Sequence, residues 1–171
     1  MSVLAPSRPL DEFEQLVYEY TLRMGLGEDS DENNKYWGID AKSCNLRFES
    51  ATKGPPPQVS YLLTIPQNLC NYMGNLHGGC TATLIDILST TILLGMSRPG
   101  VFALGGVSRH LKTTYLRPVP QGTEVRLTCT LVQMGKRLAF LRADISRVDN
   151  GDICVLGEHE KANTDPAEEK L

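Results

Sequence analysis

His77-Gly78-Gly79-Cys80-Thr81-Ala82-Thr83-Leu84-Ile85-Asp86 opens a segment in which, from Gly78 to Ser97, the only ionisable side chains are Asp86 and the thiol of Cys80. Leu84, Ile85, Leu88, Ile92 and Leu94 fall at helical spacing, which predicts a largely buried helix over about residues 79–97. Two glycines stand at its start, and Arg98-Pro99-Gly100 stops it. A lone carboxylate on such a helix costs several kcal/mol unless it is paired, hydrogen-bonded or put to use. Asp86 is therefore where chemistry is expected.

Downstream come four strand-like segments near residues 102–117, 122–134, 137–149 and 152–162, divided by turns at 118–122, 134–136 and 149–152. Turns this short predict sequential antiparallel neighbours. Val125, Leu127, Cys129 and Leu131 alternate with Glu124, Arg126, Thr128 and Thr130, and Ala139, Leu141, Ala143 and Ile145 repeat the pattern, so one sheet face is buried. Upstream, 66–79 is a polar, Gly- and Asn-rich loop, and strands at 43–50 and 58–65 flank Lys53-Gly54-Pro55-Pro56-Pro57. Leu10, Phe13, Leu16, Val17, Tyr20 and Leu22 predict an amphipathic helix ended by Gly25. The acidic stretch 27–34 reads as a solvated loop.

The only element apolar enough to cover the sheet is the central helix, so the expected class is α+β, a curved antiparallel sheet wrapped around that helix. The chain divides into an N-terminal helix and acidic loop (1–35), the main domain (36–162) and a tail expected to be disordered (163–171). At 171 residues it is long enough for one sizeable core. A net charge of -3 leaves no basic footprint for nucleic acid, and six Tyr, four Phe and one Trp form no stacking array. Five cysteines without a CxxC pair read as reduced thiols, with no zinc spacing and no metal or redox cofactor implied. No secretory or Arg-rich transit signal is evident, so the cytoplasm is the expected compartment, with the mitochondrion as the alternative. The apolar run at 84–96 reads as too short and too polar to span a bilayer.

Asn71-Tyr72-Met73-Gly74-Asn75-Leu76-His77-Gly78-Gly79, continuing through Thr81-Ala82-Thr83-Leu84-Ile85-Asp86 to Ser89-Thr90, resembles the hotdog-fold acyl-CoA thioesterases of the PaaI and thioesterase-superfamily-member type. Weaker echoes are Gly106-Val107-Ser108, Thr114-Tyr115-Leu116-Arg117-Pro118 and Gly135-Lys136-Arg137-Leu138-Ala139-Phe140, and the resemblance covers roughly residues 58–162. It implies a hotdog fold that hydrolyses acyl-CoA to free acid and coenzyme A without a cofactor, as a homodimer often paired into a homotetramer. It further implies Asp86 as general base or nucleophile, the Gly78 amide polarising the thioester carbonyl, Asn71 placing water or thioester, and Ser108 supporting the site. His77, Gly79, Ser89 and Thr90 are expected to line the substrate. Lys136 and Arg137, at a turn tip, are expected to meet the phosphates of coenzyme A.

The chemistry stands on the residues as well. Thioester hydrolysis needs an activated water or carboxylate nucleophile and a donor for the developing oxyanion. Free N–H groups at a helix start are such a donor, and glycine permits close approach. Eight helical residues put Asp86 about 12 Å along the axis from Gly78, too far to act on one carbonyl, so a partner chain is required. Thr83 and Ser89 are placed within one turn of Asp86, to hydrogen-bond it. The alternative reading of Asp86 is a satisfied structural carboxylate, which the matching Asn71 and His77-Gly78-Gly79 weigh against; Cys80 near His77 reads better as a small buried hydrophobe than as a nucleophile, and His110 and His159 read as strand residues. The rival functions are an acyl-thioester hydratase or dehydratase and a silent acyl-CoA-binding protein.

Overall fold

The computed structural model describes residues 5–26 and 44–166; the expected acidic loop at 27–34 and residues 167–171 of the tail lie outside the described residues. In chain order the elements are helix α1 (Glu12–Thr21) with a π-helical turn (Leu22–Leu26), β1 (Leu46–Thr52), β2 (Gln58–Thr64), a short 3₁₀ turn (Gln67–Leu69), the central helix α2 (Gly78–Gly95), β3 (Val107–Tyr115), β4 (Glu124–Met134), β5 (Leu138–Arg147) and β6 (Ile153–Ala162). The strands form one antiparallel sheet in the order β1-β2-β4-β5-β6-β3, and α2 packs against β2 to β6. The alternation in β4 and β5 does what it predicts: Val125, Leu127, Cys129, Leu131, Ala139, Leu141, Ala143 and Ile145 are all buried. They pack against Leu84, Ile85, Leu88, Ile92 and Leu93 of α2 in one core. By length and apolarity alone α2 is able to cross a bilayer, at 18 residues and a mean hydropathy of 1.4, contrary to the expectation for this segment. Here the sheet and α1 supply its apolar surroundings instead.

Asp11 caps α1 by accepting from Glu14 N–H, while Glu14 accepts from Asp11 N–H and pairs with Arg8. Glu14 also accepts from Ala51 N–H, fastening the helix to β1. Phe13 and Val17 press on Gly95 at the end of α2, where a Cβ would lie 2.6 Å from Val17 Cγ2; glycine is what allows the two helices to approach.

Three expectations change. β3 pairs with β6 and not with β4, because the intervening Pro118 and Pro120 cannot donate to a ladder and the chain crosses the sheet end instead, with Leu76 N–H donating to Val119 O and Gln121 N–H to Gly74 O. β3 also begins at Val107, well after residue 102, because Phe102 (φ 59°) and Gly106 (φ 62°) hold a left-handed turn; a side chain at Gly106 would sit 2.4 Å from Ala162 O. Finally, the start of the expected tail is tied down. Asn163 Oδ1 accepts from Phe102 N–H, and the Asp165 carboxylate accepts from Ala103 and Leu104 N–H, so residues 163–165 clamp the turn that leads into β3.

Candidate active site

α2 starts at Gly78, with His77 as its N-cap. The His77 Nδ1 accepts from Gly79 N–H at 3.0 Å, which occupies that amide and gives His77 a capping role. The Gly78 N–H, by contrast, has no acceptor among the described residues and sits at the positive end of the helix dipole. Asn71 lies beside it in a tight loop: its Oδ1 accepts from Met73 N–H (3.0 Å) and Asn75 N–H (3.2 Å), which leaves Nδ2 as its free donor. Together they line a cavity of about 360 Å³ with apolar walls from Met73, Leu76, Leu116 and Val119. Tyr115 closes one side by donating from its hydroxyl to Gly78 O at 2.7 Å. A Cβ on Gly78 would meet that hydroxyl at 3.1 Å, a packing reason for glycine that the sequence does not reveal.

Asp86 lies two turns further along and away from this cavity. Its side chain is 40% exposed and not buried alone, as the apolar stretch implied. Ser108 Oγ donates to Asp86 Oδ1 at 2.7 Å, and the His159 Nε2 lies 3.2 Å from the same oxygen. His159 Nε2 is 2.9 Å from Ser108 Oγ, and its Nδ1 is 2.7 Å from Ser89 Oγ. With Ser108 donating to Asp86, its oxygen accepts from His159 Nε2–H, and Ser89 donates to Nδ1. Every bond in the chain Ser89, His159, Ser108, Asp86 then points toward the carboxylate. Burial first, and the nearby Lys161 ammonium second, push the His159 imidazole down to about 4 against the pull of Asp86, so the ring is neutral at pH 7. The second carboxylate oxygen, Asp86 Oδ2, has no partner among the described residues.

Ser108 reaches Asp86 through a β-bulge. Ser108 pairs with Lys161 and His110 with Glu160, so Arg109 is the extra residue. Beyond the bulge Leu111, Thr113 and Tyr115 oppose the buried His159, Gly157 and Val155, whereas His110 and Lys112 lie on the outer face. Were Arg109 instead paired in a regular ladder, Ser108 would fall in phase with His110 and Lys112 and share that outer face.

The sequence-derived residues thus separate into two groups. Asn71, His77, Gly78 and Gly79 stand at the start of α2, and Asp86, Ser89, Thr90 and Ser108 cluster two turns on. Ser89 and Thr90, expected to line the substrate, are buried away from the cavity at the helix start and bond His159 and Lys161. Nor does Asp86 draw on Thr83, which donates to Gly79 O. Lys136 and Arg137 lie at the β4–β5 turn, exposed, with their carbonyls held by Asn163 on the side of the sheet where β3 begins. His159 and Lys161 were not singled out from the sequence as site residues.

The sequence profile described as the thioesterase superfamily matches residues 73–154. The acyl-coenzyme A thioesterase 13 of Homo sapiens is 34% identical over 106 residues, 62% of this chain and 73% of that protein. Among solved structures, thioesterase superfamily member 2 from Mus musculus superposes with a TM-score of 0.60 at 32% identity, over 68% of this chain and 80% of the other. The zebrafish thioesterase superfamily member 2 gives 0.65 at 25% identity, over 91% and 99%.

Proposed function

Because this chain belongs to the thioesterase superfamily, we propose that it hydrolyses an acyl-CoA thioester to a free acid and coenzyme A at two equivalent composite sites of a homodimer. The observation that carries this reading is the separation of the two half-sites. The free Gly78 amide and Asn71 Nδ2 face one cavity, while the carboxylate with its open Oδ2 lies about 12 Å along the same helix and outside that cavity. β3 supports the pairing, since it is an edge strand unpaired on its outer side among the described residues and carries exposed Val107 and Tyr115. Two β3 edges meeting across a two-fold axis bring Asp86 of each chain toward the helix start of the other.

At such a site the thioester carbonyl oxygen accepts from the Gly78 N–H and Asn71 Nδ2 of one chain. Oδ2 of Asp86 in the partner takes a proton from a water whose oxygen attacks the carbonyl carbon. The negative charge moves to the carbonyl oxygen, where the fixed donors stabilise it. Collapse breaks the carbon–sulfur bond, and the departing thiolate takes the proton back from Asp86. Ser108 and His159 hold the carboxylate through Oδ1 throughout. Lys136 and Arg137, exposed and without an ion pair among the described residues, are suited to the coenzyme phosphates.

The test is free-thiol release from acyl-CoA substrates of graded chain length by wild type and Asp86→Ala. The expected result is turnover by wild type and a loss of about 10²–10⁴-fold in kcat for the variant. Absence of release from every substrate would end the hydrolase reading. Undiminished release by Asp86→Ala would end the mechanism, and addition of water to an enoyl-CoA without thiol release would point to a hydratase.

A further inference from the structure

Beneath Asp86 lies a buried cation for which the hydrolytic steps above have no use. Lys161, 4% exposed on the inner face of β6, donates from Nζ to Thr90 Oγ1 at 3.0 Å. Thr90 in turn donates to the backbone carbonyl of Asp86 at 2.8 Å, so the ammonium is fixed one helical turn below the carboxylate. A buried ammonium is expensive unless its charge is compensated, and no carboxylate lies within ion-pair distance of it among the described residues. Its neighbours on the inner face are few. His159 sits two residues away on the same strand, opposite the apolar Leu111 of β3 and Leu141 of β5, and α2 contributes Asp86 with the neutral Ser89 and Thr90. Glu158 and Glu160 lie on the other face, where they pair with Lys112 and Arg109. Asp86 and Lys161 are therefore the only charged side chains facing His159 among the described residues.

We propose that Lys161 is a positioning residue, whose buried positive charge opposes protonation of His159 and so extends toward acid the pH range in which the hydrogen bonds from Ser89 through His159 and Ser108 all run toward Asp86. The inference rests on the hydrolase reading for its purpose but not for its physics. An imidazolium at position 159 would protonate Nδ1, break the bond from Ser89 and place a full ion pair on Asp86, weakening it as a base. Asp86 on one side favours that state, and Lys161 on the other opposes it. Burial of the imidazole works in the same direction as Lys161.

The chain has three histidines, so NMR titration of the full-length protein resolves the His159 ring, assigned by its loss in His159→Gln. Lys161→Met is expected to raise the pH at which His159 titrates by about one pH unit and to move the acid limb of the kcat/KM profile the same way. Lys161→Arg, which keeps the charge, should retain the wild-type titration. If Lys161→Met does not fold, Thr90→Val decides the matter: freeing the ammonium should move the titration in the same direction by a smaller amount. An unchanged His159 titration in folded Lys161→Met, or in Thr90→Val where that variant alone folds, overturns the proposal. Because the titration is read without substrate, a chain that hydrolyses no thioester would sink the hydrolase reading and leave this outcome standing.

Discussion

His159 ties pH to stability through one buried ring. In the unfolded chain an imidazole takes up its proton near 6.5, whereas in the folded protein His159 does so at about 4. Between those values the unfolded state binds more protons, so stability rises with pH. The contribution is complete above pH 6.5 and is lost as the pH falls toward 4, and a difference of about 2.5 pH units corresponds to about 3 kcal/mol. Thermal melts of wild type and His159→Gln across that window should show a steeper fall of Tm with acid for wild type; parallel curves would remove His159 as the cause. Asp86 was legible in the sequence because its charge interrupts an apolar helix, and Gly78 because it opens one. His159 and Lys161 were not. In Gly157-Glu158-His159-Glu160-Lys161 polar residues occupy both faces, and only the register opposite Leu141 and Ala139 reveals that histidine and lysine are the ones turned inward.

At the scale of elements, α2, β4 and β5 follow from periodicity alone, since each carries a burial pattern that only one face can satisfy. β3 does not. Its residues are exposed or only partly buried, so nothing in their polarity marks an inner face, and its position beside β6 depends on a crossing that short turns argue against. The bulge at Arg109 is equally invisible in the sequence, yet it sets which way Ser108 points. Ser108→Ala removes the hydrogen bond to Asp86 Oδ1 that the bulge makes possible, and is expected to lower kcat by about 10–10²-fold while the fold survives, because Ser108 is exposed on an edge strand outside the core. Circular dichroism and thiol release measured together check this. A Ser108→Ala variant that keeps full activity would show that Ser108 does not act through Asp86.

At the scale of the whole molecule, one chain presents a free Gly78 amide beside a cavity that holds no carboxylate at the start of α2, and the Asp86 carboxylate outside that cavity two turns later. The 12 Å separation was computable from the spacing of Gly78 and Asp86 once the helix was recognised. Only the folded chain shows that the cavity at the helix start excludes Asp86, Ser108 and His159, and that β3 lies at a sheet edge. The central claim, that each site is shared between two chains, is tested most directly by complementation. Asp86→Ala removes the base. Asn71→Asp removes the Nδ2 donor and keeps the Oδ1 acceptor that the 71–75 loop needs. Each variant alone should be nearly inactive. Unfolded together in equal amounts and refolded, half of the dimers become mixed, and each mixed dimer regains one intact site with Asp86 from one chain and Asn71 from the other. About a quarter of wild-type turnover is then predicted. A mixture no more active than its two components, with subunit exchange confirmed by mass spectrometry, would contradict the shared site.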